Sequence, residues 1–348
     1  MTNPSRSFLS ISSANLLHNY QMLQKKAGPT KIIPVVKANA YGHGISFVTK
    51  ILDEKAPYFA VSILSECLQL ISHRKTKFIV MNGPFSEQEL IYAESVDFVI
   101  TTLEQASWIL NHEKKIKFWI KINLTMNRLG LSIVEAISIL KKYANRCYGL
   151  MGHIPGTDKF SDLIQWSCDE FLGLATEYGL QTSLMNSDGL LAFNGFHCSF
   201  ARAGLSLYGY PSNHDSDFKP VMKLFIKKLK EIQPAPQFIG YGLKTLQEKK
   251  TFLCSIGYGD GILPLLAGYK FNHQNVEYEF LKPIMMDLCY LQVDGVNLVD
   301  NLEKYICLFG ENQKQLIDLS RYLMLIPYVI LTNINMRLDR LIDFNFAN

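Results

Sequence analysis

Lys37 stands where a buried strand would present a reactive amine. Residues Lys31–Val36 have the apolar, β-branched composition of a buried strand, and Lys37 follows at its carboxyl end. An amine held there is partly desolvated, which disfavours the ammonium form, lowers the pKa and makes the amine a better nucleophile. Such a lysine suits a Schiff base with a carbonyl cofactor, and Tyr41 offers a hydroxyl close by in the sequence. An isolated strand-end lysine would more often simply reach solvent.

The composition is that of an ordinary globular protein. The chain has 348 residues, of which 48% are apolar and 19% charged, and its net charge is +4; about 150 residues per domain suggests two domains. The densest basic stretch, 227–230, is short, so no nucleic-acid partner is expected. The seven cysteines are scattered, which argues against disulfides and a metal site. Without a signal sequence or a long apolar run, we expect a cytoplasmic protein with no membrane association.

Strands alternate with helices through about residue 210. This pattern predicts a parallel sheet with right-handed crossovers, and the number of short strands favours a closed (β/α)8 barrel over an open doubly wound sheet. No glycine-rich dinucleotide fingerprint follows the first strand to support the open sheet. Beyond Tyr210, short apolar runs between turns indicate a mainly β domain. We therefore predict an N-terminal α/β barrel over residues 8–212 and a C-terminal mainly β domain over 213–348, on which residues 1–7 could pack.

Local patterns predict the elements within this frame. A short strand is predicted over residues 8–12, before the lysine strand. Helices are predicted over Leu64–His73 and Ser86–Ser95, between successive barrel strands. In the mainly β domain, a single helix is predicted from Gln313 to about Leu323.

Polar residues follow several predicted barrel strands. Catalytic groups of (β/α)8 barrels lie at the carboxyl ends of the strands, and the residues at those places are Lys37, Arg128, His153, Asn186, Ser187, Arg202 and Gly204. Taken singly, His153 would more often be a core histidine and Arg202 a salt-bridge residue. Asn186 and Ser187 would be a helix N-cap, which is compatible with ligand binding. Together they are consistent with one active site.

These segments resemble the alanine racemases. The run Pro34–Gly44 resembles the pyridoxal 5'-phosphate (PLP) attachment motif, in which the lysine holds the cofactor covalently. Lys121–Gly130, Gly152–Ile154, Met185–Ser187 and Ala201–Gly209 resemble four further segments of that family. The resemblance covers nearly the whole chain in order, and it implies a PLP-dependent enzyme built from a barrel and a β domain.

The resemblance also implies a role for each barrel residue. Arg128 would lie near the cofactor phenolate, His153 beside the pyridine ring, and Arg202 at the pyridine nitrogen. Ser187 and two backbone amides would meet the phosphate. The full set of implied cofactor-binding residues is Lys37, Tyr41, Arg128, His153, Asn186, Ser187, Arg202, Gly204, Leu205 and Tyr328.

Three segments of the second domain complete the resemblance. Ser255–Gly261 resembles the run that carries the second catalytic base, here Tyr258. Met285–Asp287 resembles a substrate segment that reaches across a dimer interface, and Ile326–Val329 resembles the segment whose tyrosine contacts the phosphate. The resemblance thus implies a homodimer with shared active sites. The implied substrate-binding residues are Arg128, Met286 and Asp287.

The implied reaction is interconversion of L- and D-alanine by two bases, Lys37 and Tyr258 of the partner subunit. Racemisation needs an acid–base group on each face of the planar carbanion. Tyrosine is a weak base, and His153 next to Arg202 is the expected source of positive charge near it. A supply of D-alanine for peptidoglycan is the physiological role that the resemblance suggests.

The sequence departs from the family at several positions. Pro283 and Met285 replace an arginine and a small residue, which leaves open a racemase for a larger or polar amino acid. Asn123 stands where the family usually has aspartate, and Lys121 aligns with a lysine that is carbamylated in some members. Two different functions also stay open. One is a PLP-dependent decarboxylase, against which Arg202 argues because such enzymes generally have glutamate there, and the second is a catalytically weakened PLP-binding homologue.

Overall fold

Eight short parallel strands form a nearly closed barrel. The computed structural model describes residues 4–154, 162–192, 198–232, 238–242, 244–245, 249–293 and 303–344. In order around the barrel the strands are Lys31–Pro34, Phe200–Ala203, Gln181–Asn186, Cys147–Met151, Phe118–Lys121, Val96–Ile100, Phe78–Val80 and Phe59–Val61. A parallel bridge between Val35 and Ala60 links the first and last of these strands. The predicted (β/α)8 architecture is confirmed.

Most residues of the barrel strands are buried, and the exposed ones, such as Lys31 and Gln181, lie at strand ends, which explains the mainly apolar sequences of the strands. Their largest fully buried side chains are Phe59, Phe78, Phe98, Phe118 and Trp119. Because all the strands run in the same direction, their carboxyl ends meet at one edge of the barrel. Polar residues that follow the strands are therefore brought together.

Helices connect most of the strands. The α-helices of the described residues are Ser13–Ala27, Ile45–Leu52, Leu103–Asn111, Ile133–Tyr143, Asp162–Glu177, Ser187–Ala192, Gln313–Leu323 and Pro327–Asn333, while Lys37–Tyr41 forms a left-handed turn. None of these helices has both the length and the apolar character needed to span a bilayer. The predicted helix from Gln313 to Leu323 is confirmed.

Two predicted helices are wrong. Only the short 3-10 segment Leu64–Glu66 forms within Leu64–His73, and only the 3-10 segment Glu87–Tyr92 within Ser86–Ser95. In the first, the carboxylate of Glu66 accepts hydrogen bonds from backbone groups that precede it. Local side-chain bonding of this kind competes with a regular helix.

The chain divides into two units, and the smaller one is mainly β. The larger unit comprises Leu16–Ala40 and Ile45–Phe218, and the smaller comprises Met1–Asn15, Tyr41–Gly44 and Lys219–Asn348. In order, its strands are Lys270–His273, Val276–Leu281, Cys289–Val293, Thr251–Cys254, Met222–Ile232, Phe8–Ile11 and Asp339–Ile342, with Tyr305–Phe309 also paired to Met222–Ile232. Phe238–Ile239 and Lys244–Thr245 form a separate two-stranded ribbon. The predicted mainly β domain is confirmed, while its limits, 213–348, stay a prediction.

The first strand of the chain does not belong to the barrel. Phe8–Ile11 pairs antiparallel with residues 222–225 and parallel with residues 339–342, both in the smaller unit. Its expected place within a barrel domain that begins at residue 8 is therefore corrected. The pairing partners of a short strand are set by residues far away in the chain, which its own pattern does not reveal.

Candidate active site

Lys37 begins a left-handed turn at the end of the first barrel strand. The three residues after it, 38–40, have φ angles between 49° and 54°. Each such non-glycine residue costs about 1–2 kcal/mol, so surrounding contacts must hold the turn. One of them joins the N–H of Ala38 to Oε1 of Glu66, at 2.6 Å. Backbone strain of this kind is concentrated at functional sites.

Glu66 is a site residue that the sequence analysis did not identify. Its Oε2 atom accepts hydrogen bonds from the N–H groups of Ser62 at 2.7 Å and Ile63 at 3.3 Å. One carboxylate thus connects the end of the Phe59–Val61 strand to the turn after Lys37. The signal that could have revealed it is an acidic side chain shortly after a barrel strand.

The amine of Lys37 lies in a partly buried, electropositive environment. Burial lowers its pKa most, and the charge of Arg128 lowers it further. The charge of Glu66 opposes these effects, and Arg202 lowers the pKa by a smaller amount. A larger fraction of neutral amine is therefore available than for a lysine in water, and only the neutral amine is nucleophilic.

Arg128 lies on a loop that folds back onto its own strand. The loop is closed by the N–H of Asn123, which donates to Leu131 at 2.9 Å, and by the N–H of Leu131, which donates to Lys121 at 2.8 Å. Within it, Oδ1 of Asn123 accepts from the N–H of Arg128 at 2.9 Å. The uncharged amide oxygen of Asn123 thus accepts the hydrogen bond that the charged carboxylate of an aspartate could accept at this position. The side chain of Arg128 stays exposed.

Arg202 is buried, and its guanidinium is held by three neighbours. Nη1 donates to the carbonyl of Ser183 at 2.6 Å and to its Oγ at 2.7 Å. Nη2 donates to the carbonyl of Gly152 at 2.6 Å and lies 3.3 Å from Nδ1 of His153. Because a guanidinium can only donate, Nδ1 of His153 is the acceptor, and a neutral imidazole carries its proton on Nε2.

His153 is neutral at physiological pH. Burial, followed by the charge of Arg202 and then of Arg128, lowers its pKa to about 3. Burial also lowers the pKa of Arg202, to about 10, but this group stays protonated at neutral pH. The expectation that His153 contributes positive charge is therefore corrected, because only Arg202 of the pair is cationic.

Lys121 is the fourth cation of this site. It is buried at the end of the Phe118–Lys121 strand, and burial together with Arg128, Arg202 and Lys37 lowers its pKa to about 8. With that pKa, about a tenth of the amine is neutral at pH 7. Lys121 thus combines a free amine with cationic neighbours that would attract an anion.

We expect Lys121 to react with carbon dioxide. Attack of the neutral amine forms the N–C bond of a carbamate and releases a proton, which turns a repelled cation into an anion beside Arg128 and Arg202. Protein incubated with 13C-bicarbonate should show a carbamate signal by NMR. The matched variant Lys121→Arg keeps a charge but no reactive amine, and it should lose the signal. A spectrum that is unchanged by the substitution would contradict the expectation.

Ser187 and Gly204 meet across two neighbouring strand ends. The N–H of Gly204 donates to Oγ of Ser187 at 2.9 Å, and both groups are buried. Oδ1 of Asn186 accepts from the N–H of Gly189 at 2.7 Å, which is an N-cap contact. Leu205 follows as the buried first residue of a 3-10 turn. The structure thus brings these four predicted residues together, and their role in phosphate binding stays a prediction.

Tyr41 and Tyr328 form an aromatic pair within the smaller unit. Their ring centroids are 5.7 Å apart, with planes inclined by 50°. Tyr328 is the second residue of the Pro327–Asn333 helix and is partly exposed. Two residues that the family pattern assigns to cofactor binding are thus neighbours in space, although 287 positions separate them in the chain.

Tyr258, Met286 and Asp287 form a third group, also in the smaller unit. The N–H of Tyr258 donates to the carbonyl of Met285 at 3.0 Å, which joins the tyrosine turn to this segment. Tyr258 is 45% exposed and Met286 is 53% exposed, so both residues are accessible for binding. No group of three or more His, Cys, Asp or Glu side chains in the described part of the chain could hold a metal ion.

Comparison with known proteins agrees with this architecture. Residues 11–212 match the family model of the alanine racemase N-terminal domain, and residues 222–342 match that of the C-terminal domain. An alanine racemase of Vesicomyosocius okutanii is 30% identical, over 94% of this chain and 96% of the relative. One of Mannheimia succiniciproducens is 33% identical, over 72% of this chain and 75% of the relative.

Solved structures give the same result. Alanine racemase from Acinetobacter baumannii superposes with a TM-score of 0.81 at 25% identity, covering 97% of this chain and 99% of that one. The enzyme from Bartonella henselae, solved with covalently bound pyridoxal phosphate, has the same fold, with a TM-score of 0.85 at 22% identity over 97% of this chain and 100% of that one. Both domain models of the family match, and the 30% identity to the Vesicomyosocius okutanii enzyme extends over 94% of this chain. The chain therefore belongs to the alanine racemase family of isomerases.

Proposed function

We propose that the protein interconverts L- and D-alanine, with PLP bound at the carboxyl edge of the barrel. The observation that carries the proposal is the partly buried amine of Lys37, which lies among the cations Arg128, Arg202 and Lys121. A lysine of lowered pKa is suited to covalent attachment of a carbonyl cofactor. The other cations favour a ligand that is strongly negative.

The residues at this edge fit such a cofactor. PLP is an aldehyde with an anionic phosphate and a phenolate, and the charges that act on Lys37 are those of two arginines and a single carboxylate, Glu66, within the described part of the chain. The buried pair formed by Ser187 and the Gly204 amide offers short, uncharged hydrogen-bonding groups for the phosphate. The bonds described for Arg202 use Nη1 and Nη2, which leaves its Nε–H to donate to the pyridine nitrogen.

When bound, PLP would supply the electron sink for removal of the α-proton. Lys37 would hold the cofactor at rest and act as the acid–base group on one face of the substrate. Tyr258 of the partner subunit would serve the opposite face, in a homodimer that shares its active sites. Met286 and Asp287 lie beside the Tyr258 turn, so the same partner segment would bind the substrate together with Arg128.

Arg202 would restrict the reaction to racemisation. Its guanidinium can donate to the pyridine nitrogen but does not give up its proton, so the ring stays a weaker electron sink than a protonated one. His153 cannot change this, because its pKa of about 3 keeps it neutral and its Nδ1 accepts from Arg202. The protonation states of Arg202 and His153 therefore do not change around neutral pH.

The test follows the α-proton of alanine by NMR in heavy water, with purified protein and PLP. Loss of the α-proton of L-alanine together with formation of D-alanine in a coupled assay is the expected result. Exchange without D-alanine would refute the two-base mechanism. Protein without added PLP is the control. Its rate of α-proton exchange should be lower, in proportion to its content of bound cofactor.

A second candidate is a racemase of a larger or polar amino acid. The observation that favours it is the pair Pro283 and Met285, which replaces a cationic and a small residue of the family pattern just before Met286. A panel of amino acids in the same exchange assay decides between the two. Faster exchange and inversion with another amino acid than with alanine would favour the second candidate.

Replacement of Arg202 by glutamate should increase transamination. A carboxylic acid at this position can share a proton with the pyridine nitrogen, which strengthens the electron sink. We expect pyruvate formation from alanine, relative to racemisation, to rise at least about tenfold, the effect of a change near 1.4 kcal/mol in relative barriers. Arg202→Lys keeps a cation and is the matched control. An unchanged ratio in the folded, PLP-loaded glutamate variant would disprove the proposed role.

A further inference from the structure

The turn that carries Tyr258 is tied by its backbone to the Met285–Asp287 segment. The N–H of Tyr258 donates to Met285 at 3.0 Å, and the N–H of Gly259 donates to Met286 at 2.8 Å. A Cβ atom at Gly257 would collide with the carbonyl oxygens of the same two methionines. Backbone hydrogen bonds thus fix the position of the proposed base, Tyr258, relative to the proposed substrate segment, Met285–Asp287.

Arg337 lies directly against this turn. A Cβ atom at Gly259 would collide with Nη1 of Arg337. The Arg337 segment is itself attached to the turn, because the N–H of Asn335 donates to the carbonyl of Asp260 at 3.0 Å. The turn is therefore fixed by a second segment as well as by Met285–Asp287.

Two carboxylates are connected through the guanidinium of Arg337. Its Nε is 3.6 Å from Oδ1 of Asp260, and its Nη2 is 2.5 Å from Oδ1 of Asp287. Asp260 is fully buried, accepts from the N–H of Gly257 at 3.1 Å, and also pairs with Nη2 of Arg6 at 2.7 Å. A buried carboxylate requires such cationic partners. The side chains of Arg337 and Asp287 are 40% and 58% exposed, so these two are the accessible members of the network.

We propose that Arg337 is a positioning residue for Tyr258, and this inference rests on the proposed function. By binding Asp260 and Asp287 at once, it holds the tyrosine turn in register with the substrate segment. A guanidinium can address two carboxylates through its fork of donors, whereas an ammonium is a point charge. Arg6 still neutralises Asp260 when Arg337 is removed, so the expected result of that removal is a misplaced tyrosine rather than an unfolded protein.

The first test measures the turn itself, in the full-length, PLP-loaded protein. Hydrogen exchange of the amides of Tyr258 and Gly259 should be at least about tenfold faster in Arg337→Gln, because a charge-assisted contact that restrains local opening is lost. Arg321→Gln removes an exposed arginine that pairs with Asp318 at 3.3 Å, and it should leave this exchange unchanged. Unchanged exchange in Arg337→Gln would overturn the proposal.

The second test separates positioning from general stability. For each enantiomer of alanine in heavy water, inversion is compared with deuterium uptake that keeps the configuration. Inversion should fall about 10²-fold in Arg337→Gln, the cost of a misplaced catalytic group. One enantiomer should still exchange, through the face served by Lys37, and Arg337→Lys should recover part of the inversion. Equal loss of exchange for both enantiomers, together with lost PLP binding, would show a merely structural role and refute the proposal.

The proposed function and the positioning role of Arg337 can be refuted independently of each other. Should the unsubstituted protein exchange no amino acid at all, the proposed function would fail. The amide exchange of the Tyr258 turn would then decide alone whether Arg337 holds that turn. Faster turn opening with unchanged inversion would overturn the positioning role and leave the proposed function intact.

Discussion

Alanine racemisation is expected to fall by about 10⁴-fold when Lys37 is replaced by alanine, the upper range for a positioned acid–base group. The substitution removes both the amine that would hold PLP covalently and the acid–base group of one face. Burial and the charge of Arg128 lower the pKa of this amine, and no other lysine starts a strained turn at the end of a barrel strand in the described residues. A coupled D-alanine assay at saturating PLP measures the effect.

Lys50→Ala is the matched control for this prediction, because Lys50 is an exposed lysine on the Ile45–Leu52 helix. It should keep full activity. Borohydride reduction followed by mass spectrometry should find the cofactor on residue 37 in the control and none in Lys37→Ala. More than about one per cent of the activity in a folded Lys37→Ala protein would contradict the assignment, because even a modest acid–base contribution exceeds that factor.

Tyr258→Phe should separate proton exchange from inversion. The ring and its packing stay, and only the hydroxyl is lost, so the fold should be unaffected. Inversion should fall about 10²–10⁴-fold in both directions. One enantiomer of alanine should still exchange its α-proton for deuterium, because Lys37 would serve that face alone. NMR in heavy water reports exchange and configuration in one experiment.

Tyr322→Phe is the control for the loss of a tyrosine hydroxyl. Tyr322 is 43% exposed, close to the 45% of Tyr258, and its hydroxyl donates to the carbonyl of Ala267 at 3.1 Å. This variant should racemise alanine normally. A Tyr258→Phe enzyme that inverts alanine as fast as the unsubstituted protein would rule out Tyr258 as the second base.

Residues at the ends of barrel strands were predictable from the sequence. Lys37 and His153 follow short, largely buried strands, Arg202 lies near the end of another, and parallel strands bring their carboxyl ends to one edge. The periodic composition of buried strands is a local property, so it is visible in the chain. The same reasoning predicted the barrel and the mainly β domain.

Residues that act through distant partners were not predictable in this way. Glu66 lies in a stretch whose pattern indicated a helix, and its role depends on the N–H of Ala38, 28 positions away. The neutral state of His153 depends on burial and on the sum of several charges. Arg337 stands 77 positions from Asp260, and a lone arginine carries no pattern that names its partner. Each case depends on contacts that only the folded chain creates.

The pairing of Phe8–Ile11 has a consequence for biosynthesis. This strand lies between residues 222–225 and 339–342, so its second partner leaves the ribosome long after the strand itself. At about 5–20 residues per second, the strand would wait roughly half a minute for it. An apolar strand with an open edge is prone to aggregate in that interval. Nascent chains stalled before residue 339 should therefore bind chaperones through residues 8–11, and crosslinking at these residues would detect the contact.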